Sequence, residues 1–191
     1  MRDRIAVLMC VNFQRELEMV LESKGMESVT MLEFPSKCHK PPAGLSVLFR
    51  DFLNAAKREY SAIHVFRSAC GVGAENQGLI SDGCFLHNEG LCFYMLAERK
   101  VVDPLLHGGA YLLSPGWLSK WKFYMDEWGM EQGMAREFFA ESARKLVLLD
   151  TLVDQASLGH LQEFSDFIGR PSELIPVGLD FFRDYIRARL R

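Results

Sequence analysis

The stretch IAVLMCVNFQRELEMVL, residues 5–21, predicts a strand followed directly by a helix. Its first part, Ile5 to Met9, is an unbroken apolar run, which is typical of a strand buried on both faces. From Phe13 to Leu21 the apolar residues recur at helical spacing, and Gly25 follows as a stop signal. A strand that leads straight into a helix is the repeating unit of a parallel sheet covered by helices. This stretch therefore indicates an α/β fold.

The same alternation continues to the end of the chain. Further strands are predicted at residues 29–32, 62–66, 83–86, 109–113, 145–149 and 174–177. Helices are predicted between and after them, at residues 45–56, 89–99, 115–125, 132–144, 158–168 and 179–190. The pattern predicts an α/β, doubly wound, mostly parallel sheet of six or seven strands with helices on both faces. We expect a single domain, residues 1–191, with pseudo-halves at about 1–100 and 101–191.

Three local signals define the ends of predicted elements. Ser114 and Pro115 have the residue types of a helix cap and a first-turn proline. Gly169 is expected to end the helix at 158–168. Pro176 lies in the last predicted strand and lacks an amide donor, so this strand is expected at an edge of the sheet.

Composition excludes several classes of protein. The chain has 191 residues, 49% of them hydrophobic, a formal net charge of −3 and a pI near 6.0. It therefore has no basic field for nucleic acid or an anionic membrane surface. The apolar run at 5–9 is too short for a signal peptide, and no run approaches the ~20 residues of a membrane span. We expect a cytoplasmic protein.

Cysteine is the residue type with the clearest chemical meaning in this chain. There are five cysteines, an odd number, so a disulfide framework is not expected. One interpretation is that they are small buried hydrophobic residues. However, three of them and a histidine fall on separate connections after predicted strands: Cys10, His39, Cys70 and Cys92. Because ligands bind outside the carboxyl ends of parallel strands, these four residues predict a site at that edge.

A metal ion is the ligand that these side chains favour. Thiolates and imidazole bind zinc, and three cysteines with one histidine complete a tetrahedral site. Zinc is therefore the expected cofactor, and an iron–sulfur cluster is the next candidate. Cys38 is an alternative to Cys92 as the fourth ligand.

Four further residues are candidates for contact with a cofactor. Gly71 and Gly73 follow the third strand, where glycine lets the backbone approach a ligand closely, although a plain tight turn is the competing interpretation. Trp117 follows a predicted strand end and is a candidate to line a pocket, or else belongs to the core. Asp150 ends the strand at 145–149, which places it at the same predicted edge.

Four segments together resemble a family of uncharacterised α/β domains from bacteria and methanogenic archaea. They are VLMCVNFQRELEMVL, HKPPAGL, ACGVG and YLLSPGWLSKW. The positions that match the family pattern are Cys10, His39, Cys70, Gly71, Cys92, Asp150 and Thr151. The family often has His-Asp before its last cysteine, where this chain has Gly90-Leu91. It also tends to have glycine after Asp-Thr, where this chain has Leu152.

The resemblance implies a link with one-carbon and corrinoid metabolism, because members are often encoded near corrinoid-dependent methylamine methyltransferases. It adds a corrinoid as a third candidate cofactor, and a signalling or methyltransferase protein as a candidate partner. The aromatic residues around Trp121 indicate either core or a homodimer face.

Two classes of function follow. The first is a domain that binds a metal or small ligand at the Cys/His edge, with a role in metabolism or sensing. The alternative is an enzyme that transfers a methyl group by means of a metal-bound thiolate. No Ser-His-Asp order, HExxH motif or matched carboxylate pair favours the enzyme.

Overall fold

The structure is a computed structural model that describes residues 4–23, 25–33, 45–67 and 83–190. The chain is α/β and divides into two compact units. One unit runs up to Cys92 and also includes Leu190, and the other covers residues 93–189. The division falls between Cys92 and Phe93.

The first unit contains four strands and two helices among its described residues. In chain order they are β1 (Ile5–Met9), α1 (Gln14–Leu21), β2 (Val29–Glu33), α2 (Leu45–Ala56), β3 (Ala62–Arg67) and β4 (Cys84–Asn88). A single 3-10 turn, Val11–Phe13, joins β1 to α1. All three strand pairings are parallel, in the order β2-β1-β3-β4. The central strands are therefore β1 and β3.

One face of this four-stranded sheet packs against α2. Alternate residues of β1 and β3, such as Leu8 and Val65, form a buried cluster with Leu53 and Ala56 of α2. Residues on the other face, such as Val7, are buried as well. Burial on both faces explains why β1 has an unbroken apolar sequence rather than an alternating one.

The second unit contains three strands and six helices among its described residues. They are α3 (Arg99–His107), β5 (Ala110–Leu113), α4 (Pro115–Leu118), α5 (Trp121–Trp128), α6 (Gln132–Ser142), β6 (Lys145–Asp150), α7 (Ser157–Ile168), β7 (Ser172–Pro176) and α8 (Asp180–Arg189). The strands are parallel in the order β5-β6-β7, so β6 is central. The predicted edge position of the proline-containing strand is confirmed, because β7 lies at one side of this sheet.

The core of the second unit is rich in aromatic residues. Trp117, Trp121, Phe139 and Phe164 are buried together, and they pack with Leu146 and Leu148 of β6. Their rings contact one another mostly at tilted or edge-to-face angles, the arrangements that aromatic quadrupoles prefer. Helices α4 to α7 thus share one face of β6.

The mostly parallel arrangement predicted from the sequence is confirmed, but the seven described strands do not pair as one sheet. They form a sheet of four and a sheet of three. Alternation of strands and helices specifies parallel pairing within each run of units. It does not specify whether the next strand extends the same sheet or begins another one. The simpler expectation, one sheet of six or seven strands, therefore did not anticipate two sheets.

Two of the predicted helix ends are confirmed in detail. The Ser114 hydroxyl accepts a hydrogen bond from the Trp117 backbone N–H at 3.4 Å, and Pro115 is the first residue of α4. Gly169 ends α7 with a φ of +67°, a left-handed conformation that glycine adopts without steric cost.

The predicted helix at residues 89–99 is wrong. The structure has a short 3-10 turn at Cys92–Met95 and a regular helix later, α3, which contains Pro104. An internal proline removes one helical hydrogen bond, so a sequence with proline at this position does not suggest a helix. Packing of α3 against β5 outweighs that cost, since Val102 is fully buried.

Across the described ranges, no helix is both long enough and apolar enough to span a membrane.

Candidate functional site

The carboxyl ends of all four strands of the first sheet lie at one edge, because the strands are parallel. Each of the predicted metal ligands follows a different one of these strands in the sequence. Cys10 follows β1, His39 follows β2, Cys70 follows β3 and Cys92 follows β4. The sheet therefore brings the starts of all four connections to one edge, as the site requires.

Five of the predicted site residues lie outside the part of the chain that the structure describes. They are Cys38 and His39, in the connection after β2, and Cys70, Gly71 and Gly73, in the connection after β3. The proposed roles of these residues stay predictions.

Cys10 lies at the boundary between β1 and the helical segment that follows. It is the residue before the 3-10 turn at Val11–Phe13, and its carbonyl oxygen accepts a hydrogen bond from the Phe13 N–H at 2.9 Å. The Cys10 side chain is partly exposed, whereas Met9 before it is buried. The turn thus holds a thiol at the carboxyl end of a central strand.

A small, mostly apolar cleft adjoins Cys10. Its described lining comes from the end of β1, the start of α1 and the middle of β2: Met9, Cys10, Val11, Gln14, Leu17, Met31 and Leu32. The cleft has a cavity volume of only about 10 Å³. That is the lower limit for holding one water, so the described cleft alone is too small for an organic cofactor.

The strand order constrains how Cys10 and Cys92 could share a metal. Their strands, β1 and β4, are separated by β3, which corresponds to two strand spacings or roughly 10 Å. Two thiolates bound to one zinc ion have sulfur atoms no more than ~4.6 Å apart, twice the Zn–S bond length. The connection after β4 would therefore have to cross the end of β3. Cys92 begins the 3-10 turn Cys92–Met95 and is partly exposed.

Among the described residues, no group of three or more His, Cys, Asp or Glu side chains could hold a metal ion. The described residues thus give no support to metal binding, zinc or a corrinoid. Two of the four predicted ligands, His39 and Cys70, lie outside the described residues.

Cys84 belongs to the core rather than to the edge, in agreement with the interpretation of the cysteines as small buried hydrophobic residues. It is the first residue of β4, so it lies at the amino end of the sheet, and it packs in the cluster beneath α2. Burial raises the pKa of the Cys84 thiol, and the nearby charge of Lys57 partly opposes this effect. Cys84 is therefore a poor nucleophile and a useful reference for Cys10.

Asp150 and Thr151 lie at the carboxyl end of β6, the central strand of the second sheet, and both are buried. The carboxylate of Asp150 accepts a hydrogen bond from the Leu152 backbone N–H at 3.0 Å. Its carbonyl oxygen accepts two more, from the N–H groups of Val177 and Gly178. The structure therefore gives Asp150 a clear part in shaping this turn, and its role in cofactor binding stays a prediction.

Trp117 is buried in the aromatic core of the second unit. Its ring stacks on Tyr124 with a centroid distance of 5.4 Å, and only 6% of the residue is exposed. The core interpretation of Trp117 accounts for this position without a ligand.

A feature that sequence reasoning missed is the pairing of His64 with His87. They lie on the neighbouring strands β3 and β4, and Nδ1 of His64 is 3.0 Å from Nε2 of His87. His64 is buried and hydrogen-bonded through this pairing. The pairing depends on the register in which Phe66 lies opposite His87, and no local pattern specifies that register.

Comparison with known proteins identifies a family. No curated protein and no solved structure matches the chain. A family model matches residues 34–186, more than half of the chain, in a range that includes His39, Cys70 and Cys92 but begins after Cys10. The chain therefore belongs to the family described as "Protein of unknown function (DUF1638)".

Proposed function

We propose that the protein binds a metal ion or a small ligand at the carboxyl edge of its four-stranded sheet, with Cys10 as a contact residue. The position of Cys10 carries the proposal. It is a partly exposed thiol that directly follows a central strand, beside a cleft. In this strand order β2 lies on one side of β1 and β4 lies on the far side of β3, so the order reverses between β1 and β3 and a crevice is expected at their carboxyl ends.

Zinc is the ligand that we propose first. Thiolate is among its preferred ligands, and His39, Cys70 and Cys92 follow the other three strands of the same sheet. The resemblance to domains encoded near corrinoid-dependent methyltransferases supports the same edge as the place where a corrinoid or iron–sulfur cluster would bind instead. Each alternative has a distinct elemental signature: zinc, cobalt, or iron with sulfide.

Elemental analysis of protein purified without oxygen tests the proposal. We expect about one zinc ion per chain in the wild type and at least a tenfold weaker affinity in Cys10→Ser, because a ligand is lost. Cys84→Ala is the matched control, since it removes a thiol from the core and should leave the metal in place. Wild-type protein without zinc, iron or cobalt, whose melting temperature is unchanged by a chelator, would contradict metal binding.

The same proteins distinguish binding from catalysis. We expect no methyl-transfer turnover when the wild type is incubated with a methyl donor, cobalamin and a thiol acceptor. Turnover that is present in the wild type and in Cys84→Ala, but lost in Cys10→Ser with its fold intact, would replace the binding function by a methyltransferase.

A further inference from the structure

The two imidazole rings of His64 and His87 meet edge to edge. Their planes are nearly parallel, at 7°, and the ring centroids are 5.3 Å apart, while Nδ1 of His64 and Nε2 of His87 are separated by only 3.0 Å. The two nitrogens therefore face each other at hydrogen-bond distance across the space between β3 and β4. One ring must donate through an N–H group and the other must accept through a bare nitrogen.

This arrangement limits how many protons the pair can hold. A neutral or singly protonated pair keeps one bare nitrogen, so the bond between the rings survives. When both rings are protonated, all four nitrogens carry hydrogen and no acceptor remains. Two positive charges would then lie about 3.0 Å apart, where they repel each other strongly.

The surroundings of the pair oppose charge as well. His64 is 5% exposed and stacks on Phe85, while His87 stacks on Phe66. Val7 of β1 lies opposite His64 in the register and adds no charge. Burial lowers the pKa of His64. Aromatic rings thus flank the pair, and burial disfavours a positive charge on His64.

Charged side chains also occur on the described elements around the sheet. Glu16 of α1 is fully buried. Lys57, which follows α2, lowers the pKa of Cys84, which lies on the face of the sheet that packs against α2. Because Lys57 is positively charged, it could not compensate protonated histidines. Glu89 follows β4 at its carboxyl end, two residues beyond His87. The residues opposite the two rings in the strand register are Val7, Phe85 and Phe66, all of which are apolar.

We propose that the His64–His87 pair is a pH-sensitive clasp, which fastens β4 to β3 at neutral pH and opens in mildly acidic solution. β4 is the outer strand of the described four-stranded sheet, so only β3 holds it by pairing there. Loss of the ring–ring bond and repulsion between the rings weaken that attachment. The clasp does not depend on the proposed function, since neither histidine belongs to the proposed ligand set.

The wild-type protein allows a direct test by NMR. Ring ¹⁵N shifts should report one shared N–H between the two histidines at pH 7.5. Amide protection factors in β4 should then fall on acidification below the usual histidine pKa of about 6.5, approaching tenfold per pH unit for each linked proton. Two rings that each become protonated near pH 6.5 without loss of β4 protection would overturn the proposal.

Single-residue variants distinguish the effect of the His64–His87 pair from a general loss of stability in acid. His87→Gln keeps an amide oxygen or nitrogen at the position of Nε2 but cannot be protonated, so β4 should keep its protection between pH 7.5 and 5.5. His107→Gln removes an exposed histidine from α3 and should behave as the wild type does. If His87→Gln lost β4 protection with falling pH as steeply as the wild type, the clasp would be disproved. His64→Asn provides the same comparison from the other ring.

Discussion

Leu152 has a conformation that its residue type disfavours. Its φ is +62°, and it is the one non-glycine residue with a positive φ in the described part of the chain. A left-handed conformation costs an L-residue with a Cβ roughly 1–2 kcal/mol. The hydrogen bond from the Leu152 N–H to the Asp150 carboxylate holds the turn in place despite that cost. Glycine would adopt this conformation without such a cost.

Replacement of Leu152 by glycine should therefore stabilise the protein. We expect a gain of about 0.5–1 kcal/mol, because relief of the strain exceeds the added flexibility of the unfolded chain. This corresponds to a rise of roughly 1–4 °C in Tm for a chain of this size. Thermal unfolding followed by circular dichroism measures it.

Leu158→Gly is the control for that change. Leu158 is about as exposed as Leu152, but it lies in the first turn of α7. Glycine there should lower stability, by up to about 1 kcal/mol. Equal effects of the two substitutions would show that the conformation of Leu152 is not strained.

The thiols should differ in reactivity according to their positions in the first sheet. Cys84 is buried and its pKa is raised, so its reactive thiolate form is scarce at pH 7.5. We expect iodoacetamide to label Cys10 at least about tenfold faster than Cys84 in folded protein that has been freed of metal with a chelator. Peptide mass spectrometry after timed quenching measures both rates.

Labelling in urea provides the reference for this comparison. Once the chain is unfolded, Cys10 and Cys84 should react at similar rates. Native labelling of Cys84 as fast as Cys10 would contradict the burial of Cys84 beneath α2.

The C-terminal end of helix α7 is hydrogen-bonded to a side chain of α6. Arg136 of α6 donates hydrogen bonds from Nε to the Phe167 carbonyl and from Nη2 to the Asp166 carbonyl, each at 3.1 Å. These carbonyls lie in the last turn of α7, where helical partners are missing and the helix dipole favours a positive charge. One guanidinium group therefore caps α7 and joins it to α6.

Substitution of Arg136 by alanine should destabilise the protein by about 1 kcal/mol, because the two hydrogen bonds that the charged guanidinium donates are lost at an exposed position. Urea denaturation provides the measurement. Lys122→Ala is the control, because Lys122 also contacts α7, through an exposed ion pair with Glu163 at 2.8 Å. We expect it to have the smaller effect, as exposed ion pairs contribute little. A larger loss in Lys122→Ala would contradict the capping role of Arg136.

Elements with a strong local signal were predicted well. The strand at 145–149 and the helix at 158–168 appear as Lys145–Asp150 and Ser157–Ile168. Their apolar periodicity and flanking glycine act within a few residues, so sequence alone specifies them. The helix predicted at 89–99 is wrong because this region contains a 3-10 turn, Cys92–Met95. The regular helix α3 comes later and contains Pro104, so its formation depends on tertiary packing rather than on a local signal.

At the scale of the whole molecule, all three tryptophans belong to the second unit, and Cys84 belongs to the core of the first. Tryptophan fluorescence and Cys84 labelling therefore report on different units. The sequence predicts a single domain, so the two signals should follow one cooperative transition in urea with the same midpoint. Separate midpoints would mean that the two units unfold independently and that the single-domain prediction is wrong.

The sequence by itself determined the α/β class, the parallel direction of the strands and the placement of Cys10 at a strand end. Each of these depends on local periodicity and on the fixed handedness of strand–helix–strand connections. Only the tertiary structure decided that the strands form two sheets, that Trp117 is buried in an aromatic core and that His64 meets His87. These features depend on pairing and register between residues far apart in the chain, and that information is spread over whole surfaces rather than held in any short segment.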